Sequence, residues 1–315
     1  MGIPRRKPVP PESHWPPQSR QRVGTGGPVG LLSFSMTGAE LTSTLRSRIQ
    51  AHPEWYHTIE LAPGLETPGW FDLRQVAGRV LPASLKGKRC LDVATFDGFW
   101  AFEMEQREAR EVVAIDLLDP ELWDWPAETT PEVMRTVGAR KGAGEGFLLA
   151  REALGSKVER VALSVYDLDP GCLGMFDVVY VGSVLLHLRD PVRALERVRS
   201  VCKGTLLVVD AIDPLLSLSF PRSAVATLDG IGRPWWWRPN LACLARMVRS
   251  AGFKVLRRPR AMFLPPGKAQ GRPGLSLGAL SVREGRQVLM RTYLGDPHGF
   301  VMAVPAPLGP AQQRR

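Results

Sequence analysis

Residues 90–116 read CLDVATFDGFWAFEMEQREAREVVAID. A short apolar run, Cys90 to Ala94, carries Asp92 near its end and breaks at the turn Thr95-Phe96-Asp97-Gly98. An amphipathic helix starts at Phe99, and a second apolar run, Val112 to Ile115, stops on Asp116. Strand, loop, helix and a strand ending on an acid form the first half of a nucleotide-binding α/β sheet. The acid at the second strand tip is placed to accept from both hydroxyls of a ribose. The loop and the helix N-terminus offer N–H groups to the polar tail of the same ligand.

The glycine content narrows the ligand. A dinucleotide site uses G-x-G-x-x-G so that backbone approaches a pyrophosphate. The loop here, Ala94-Thr95-Phe96-Asp97-Gly98, has a single glycine, no phosphate-binding lysine, and an acid at Asp97 that repels phosphate. S-adenosylmethionine, with a ribose, an adenine and a zwitterionic tail but no phosphate, fits this loop better. A crossover of the same shape that binds nothing is the competing reading.

Further strand-like runs follow at Arg160–Val165, Phe176–Val181, Thr205–Val209, Lys254–Arg257 and Phe300–Val304, mostly separated by helical stretches. That alternation predicts a mainly parallel sheet covered on both faces. Ligands of open α/β sheets bind at the carboxyl ends of the strands. This places Asp92, Ala94, Phe96, Gly98, Asp116 and Leu117 at the cofactor, with Tyr166, Asp167 and Gly182 from the third and fourth strand tips. Asp167 is positioned to accept from an adenine amino group; as a plain turn acid in Asp167-Leu168-Asp169-Pro170 it has an equally simple explanation.

The phrases LDVATFDGFWAFEME, FDVVYVGSVLLHLRDP and RPNLACLARMVRSAGFKV, with WYHTIELAPGLETPGWFDLR upstream, resemble class I S-adenosylmethionine-dependent methyltransferases. More narrowly, they resemble the group around the bacterial tRNA wobble-uridine methyl and carboxymethyl transferases. The resemblance covers roughly residues 55–304. It implies a Rossmann-like, seven-stranded, mainly parallel sheet whose last strand is antiparallel, here with an N-terminal helical extension. It implies that Ala94, Asp116, Asp167 and Gly182 line the cofactor site, that Trp70 and Arg74 close over it, and that Arg74 meets the methionine carboxylate. Carboxymethyl-transferring members hold an extra carboxylate with a lysine, a tyrosine and an arginine. The corresponding stretches here are His57-Thr58-Ile59, Leu186-His187 and His298-Gly299. An unpaired buried carboxylate is costly, so unmodified S-adenosylmethionine is the expected cofactor.

At 315 residues and 44% hydrophobic content, the chain has room for one methyltransferase domain with decorations. No apolar run reaches membrane-span length, and residues 1–22 contain no signal-peptide core. Cys90, Cys172, Cys202 and Cys243 have no metal-ligand spacing, and Cys90 and Cys202 read as core thiols. The expectation is a cytoplasmic protein with neither a metal nor a membrane partner. Arg5, Arg6, Lys7, Arg20 and Arg22 against Glu12 place +4 of the net +10 before residue 37, and Arg314 and Arg315 add +2. Charge alone therefore makes no strong case for nucleic acid. The best basic patch is Arg257-Arg258-Pro259-Arg260 with Lys268 and Arg272.

Seven prolines in the first 35 residues and no periodicity mark residues 1–35 as a disordered, basic, Pro-rich tail. The capping-box pattern Thr37-Gly38-Ala39-Glu40 starts the order, with Leu41, Leu45 and Ile49 as a helical stripe; Met36, just before it, reads as a possible true start. Residues 36–80 form the helix and a capping segment, 81–305 the methyltransferase domain, and 306–315 a second tail.

Methyl transfer from a sulfonium needs alignment and exclusion of water more than protein nucleophiles. His57 and His187 are the candidate bases. The acceptor, a tRNA base or a small molecule, is expected between the upstream segment and the loop after the fifth strand. Trp55, Ser183, Trp236 and Trp237 are assigned to it. Three consecutive indoles, Trp235 to Trp237, cannot all face a core from one regular element.

Overall fold

The computed structural model describes residues 38–141, 144–229, 234–270 and 294–307. The expected N-terminal tail, Thr37 of the capping box, Arg272 and residues 308–315 lie outside them. Helix α1 (Gly38–Ala51) has Glu40 in its first turn and buries Ile49, with Leu45 packed on the core. Leu41, expected in the same stripe, is exposed. The hairpin of β1 (Glu60–Ala62) and β2 (Leu65–Glu66) and helix α2 (Arg74–Val80) complete the N-terminal extension.

The core then runs β3 (Arg89–Val93), α3 (Phe99–Gln106), β4 (Glu111–Asp116), α4 (Pro131–Lys141), α5 (Glu145–Ala153), β5 (Glu159–Ala162). It continues through α6 (Pro170–Leu173), β6 (Phe176–Gly182), α7 (Pro191–Val201), β7 (Cys202–Ala211) and α8 (Pro214–Ser219). A small hairpin of β8 (Ala226–Leu228) and β9 (Trp237–Pro239) precedes α9 (Leu241–Ser250), β10 (Phe253–Val255), β11 (Arg260–Leu264) and β12 (Asp296–Pro305). Asp-Pro begins α6, α7 and α8: Asp169, Asp190 and Asp213 each accept a backbone N–H of the first turn, and the proline at the first helical position has no N–H to satisfy.

The sheet order is β10-β12-β7-β6-β3-β4-β5, with β11 also paired to β12. β10 and β11 pair with opposite ends of β12 and share one position, so the sheet has the expected seven positions. β3 to β7 are parallel, and β12 is antiparallel to β7. β3, β6 and β7 are covered on both faces. Their sequences accordingly read as continuous apolar runs rather than alternating ones. α7 lays Ala194, Leu195, Val198 and Val201, all fully buried, on one face of the sheet; each such Leu or Val contributes about 1.5–3 kcal/mol. Several strands differ from expectation: β7 starts three residues early at Cys202, β10 ends at Val255, and β11 is not among the expected strands. The third ends at Ala162, because Ser164 caps a 3₁₀ turn over Val165–Asp167; the last begins at Asp296, four residues before Phe300. No described helix is long and apolar enough to cross a membrane.

Candidate functional site

The carboxyl ends of the parallel strands form one edge, and two sites adjoin there. The first is a cradle at the tips of β3 and β4. The 94–98 loop turns through left-handed backbone at Ala94 (φ 62°), Phe96 (φ 50°) and Gly98 (φ 95°). Only the last is glycine. A Cβ at Gly98 would lie 2.5 Å from Phe102 and 2.8 Å from Phe147, so the lone glycine sits where no other residue fits. The loop is held by β4: Ala94 N–H and Thr95 N–H donate to the Ile115 carbonyl, and Phe96 N–H donates to the Asp116 carboxylate at 2.9 Å.

Beneath the loop, Asp92 and Thr95 are buried, and neither Asp92 oxygen nor Thr95 Oγ1 has a hydrogen-bond partner among the described residues. Burial pushes the Asp92 carboxyl up to about 7, against the Thr95 hydroxyl and the Ala101 N–H, which lie close enough to favour the ionised form without making well-aligned bonds. Asp116 is buried and accepts from Phe96 N–H, from Leu117 N–H at 2.8 Å, and from Lys141 Nζ at 2.5 Å. The Lys141 ammonium also lies over the Phe96 and Trp123 rings. Nothing in the sequence pattern singled out Lys141, which reaches Asp116 from the far end of α4. Asp167 stands exposed beside the β5 tip, while Tyr166 turns its hydroxyl to Asp124 and the Asp190 N–H. Gly182 closes β6 in contact with β7: a Cβ there would lie 2.3 Å from the Val209 carbonyl.

The second site is a cavity of ≈ 390 Å³ at the β6, β7 and β12 end of the same edge. Its floor holds Ser183, His187, Asp213 and His298. Its roof holds Tyr56, Trp70, Phe71, Trp235 and Trp237, with Glu54, Arg140, Arg238 and Gln270 at the sides. Asp210, buried at the β7 tip, accepts from the N–H groups of Val184, Leu185, Leu186 and Ala211 and so shapes the turn that carries Ser183 and His187. Burial raises its carboxyl to about 6 against those four donors. His187 donates Nδ1–H to the Pro234 carbonyl at 2.7 Å, and loss of solvent pushes its pKa down to about 4. Its ring is therefore neutral at pH 7, with Nε2 as the acceptor. Tyr56 packs on Phe96 of the cradle loop and on Phe71, so it touches both sites. Burial, with Asp296, Asp210 and Asp97 nearby, raises its phenol.

Several expectations are corrected here. Trp55 is not at the acceptor: it is 2% exposed in the core, with its indole N–H donated to the Ile49 carbonyl. His57 is buried, stacks on Phe99 and pairs through Nδ1 with Asp97, which also accepts the N–H groups of Tyr56 and His57. It is thus a link between the N-terminal extension and the cradle loop, outside the cavity lining. Asp97 is consumed by that link instead of facing a ligand. Arg74 spends Nε and Nη2 on Asp72 and Nη1 on Glu66, leaving it badly placed for a cofactor carboxylate. Trp70, expected over the cofactor and near the acceptor, lines the cavity. Trp236 points away, its indole N–H on the Asp124 carbonyl at 2.6 Å, while its neighbours Trp235 and Trp237 line the cavity. In the basic patch, Arg260 bonds the Arg79 carbonyl and Lys268 pairs with Glu66. No group of three or more His, Cys, Asp or Glu able to hold a metal occurs among the described residues.

No protein-family model matches the chain, and neither does any curated protein sequence. Solved structures do match. The N-terminal domain of EvdMO1 with SAH bound aligns at TM-score 0.50 and 15% identity, over 86% of this chain and 98% of that one. The Burkholderia thailandensis 1,6-didemethyltoxoflavin-N1-methyltransferase, with bound 1,6-didemethyltoxoflavin and S-adenosylhomocysteine, aligns at TM-score 0.43 and 15% identity, over 86% and 92%. Together with the strand order, the first of these shows the fold: a Rossmann-like sheet shared with an SAH-bound domain. Fold alone does not assign the reaction.

Proposed function

We propose that the chain is an S-adenosylmethionine-dependent methyltransferase acting on an O–H or N–H group of a small, flat acceptor. One observation carries this reading. A buried acid with no well-aligned hydrogen bond among the described residues, Asp92 beside Thr95, lies at the same strand edge as an aromatic-roofed cavity, the two sites sharing Tyr56. The orphaned oxygens suit the ammonium of the methionine tail, and Asp116 suits the ribose once Lys141 yields its place. Ala94, Phe96, Leu117 and Gly182 would flank the ligand. When bound, the cofactor supplies an electrophilic methyl group on a sulfonium. The EvdMO1 domain of the same fold was crystallised with SAH. The residues at the extra-carboxylate positions, His57, Leu186 and His298, are respectively tied to Asp97, apolar, and bonded to Ser183. This supports the unmodified cofactor.

The chain's own part is to hold the acceptor between Trp70, Trp235 and Trp237, whose indole faces suit a flat ring and exclude water. Calorimetry with S-adenosylmethionine tests the binding, and methyl-labelled cofactor incubated with fractionated cell extract tests the transfer. Asp116→Ala in a folded protein should weaken binding about tenfold or more, through loss of charge-assisted bonds of about 1.5–3 kcal/mol each; unchanged affinity would remove the ribose assignment. Binding without transfer to any fraction would favour a silent binding module. A second reading, a tRNA base such as the wobble uridine, is favoured by Arg140 and Arg238 in the cavity wall and by Arg189, whose guanidinium lies 4.9 Å from the Trp236 ring centroid. Label entering RNA, with salt-sensitive retention of bulk tRNA, would select it.

A further inference from the structure

Ser183 and His298 meet on the cavity floor, from the β6 tip and from β12. Ser183 Oγ lies 2.8 Å from His298 Nε2, and His298 Nδ1 lies 3.0 Å from the Asp296 carbonyl oxygen. A carbonyl only accepts, so Nδ1 carries the ring proton and Nε2 accepts from the Ser183 hydroxyl. With its hydrogen committed to His298, Ser183 Oγ offers a lone pair to whatever occupies the cavity it lines. The Asp296 carboxylate, 3.7 Å from Nδ1, supplies the countercharge for an imidazolium. His187 makes no such carboxylate contact among the described residues; its Nδ1 meets only the Pro234 carbonyl. Of the two histidines lining the cavity, His298 is the one bonded to a hydroxyl that faces it and set beside a carboxylate.

We infer that Ser183 and His298 form a proton relay for the acceptor, an inference resting on the methyl-transfer reading above. The acceptor's O–H or N–H proton passes to Ser183 Oγ as the serine's own proton passes to His298 Nε2. The acceptor's lone pair bonds to the methyl carbon, and the methyl–sulfur bond breaks with its electrons going to sulfur, which leaves as a neutral thioether. Ser183 touches the acceptor; His298 is a positioning residue acting through it. The same trio would suggest a nucleophilic serine, but the N–H groups of Val184, Leu185 and Leu186 that follow Ser183 are all taken by Asp210. No oxyanion site therefore forms from them.

The test uses the full chain. Ser183→Ala and His298→Gln should each lower kcat on the label-accepting extract fraction by about 100-fold, with acceptor KM and cofactor affinity within about twofold; a purely structural role would move all three. Independently of turnover, ¹⁵N-histidine NMR should show His298 as the Nδ1–H tautomer, with a Nε2 resonance that shifts in Ser183→Ala. If His298→Gln fails to fold, Ser183→Ala and the tautomer still decide. An Nε2–H tautomer, or full kcat in Ser183→Ala beside an active wild type, overturns the relay alone. Wild-type protein that binds no S-adenosylmethionine, or methylates nothing, overturns the relay and the functional reading together.

Discussion

At the tips of β3 and β4, each candidate ligand-facing group is one of the last two residues of a regular strand or lies in the short loop directly after it. At the other end of the edge the floor is also anchored to strands, just after β6 and β7 and at the start of β12, but most of the roof is not: Tyr56, Trp70, Phe71 and Trp235 lie outside the named strands, on chain stitched by isolated bonds such as Trp236 N–H to the Leu186 carbonyl. The cradle is thus fixed by the sheet, and the cavity by the alternation of side chains along irregular backbone. In an extended segment, neighbours face opposite ways. Trp55 and His57 go to the core side and Tyr56 to the cavity, while Trp235 and Trp237 go to the cavity and Trp236 away. A one-residue error in parity exchanges the plugs for the lining.

The largest expected effect falls on the cradle. Gly98→Ala forces a Cβ onto Phe102 and Phe147 at a positive φ and should cost about 3–4 kcal/mol, read as a lower urea midpoint with loss of cofactor binding. An unchanged midpoint would mean the loop is softer than the sheet that carries it. Next comes the joint between the regions. Asp97→Ala strips three buried bonds from Tyr56 and His57 and should cost about 2–3 kcal/mol, with acceptor and cofactor binding weakened together. Weakening of only one would show the regions to be independent.

Asp92 gives the cradle a pH signature that the cavity roof lacks. Its carboxyl titrates higher in the folded chain than in the unfolded one, so the native state holds the extra proton between pH about 4 and about 7. Stability without cofactor should therefore fall as pH rises through that window, by up to about 1.4 kcal/mol per pH unit, and level off above it. Asp210, raised to about 6, adds a slope of the same sign below that pH, so Asp92→Asn should reduce the slope throughout and remove most of it between pH about 6 and about 7; a variant with the wild-type slope there would place the titration elsewhere. If the cofactor's ammonium pairs with the ionised acid, affinity should rise over the same interval. The smallest effects test parity. Trp235→Ala and Trp237→Ala should raise acceptor KM about tenfold, the cost of about 1.4 kcal/mol of stacking, while Trp236→Ala lowers the melting temperature by a few degrees and leaves KM alone. The reverse pattern would refute the alternation.

How legible each region was follows from the same difference. Strand periodicity and the terminal acid place Asp116, and the single glycine of the loop marks Gly98, because local sequence dictates both. The segments that roof the cavity were also recognisable by their aromatic content. Parity was not, since no regular strand extends through Trp55–His57 or Trp235–Trp236 to set the phase. Lys141 and His298 reach their partners from residues 25 and 115 positions away, and no spacing rule connects such pairs. Arg74 was lost for a related reason: its neighbours Asp72 and Glu66 compete for it at closer range than any ligand.

Asp97 also bears on how this chain can change. Because one carboxylate clamps the 56–57 backbone to the cradle loop, substitutions in that stretch are felt by both ligands at once, and new acceptor preferences are hard to reach there. The β8–β9 hairpin and Trp235 have no share in that clamp. On the proposed function, acceptor range should therefore diversify through residues 213–229 and 234–239, whose side chains can be exchanged while the proposed methyl-donor cradle stays untouched.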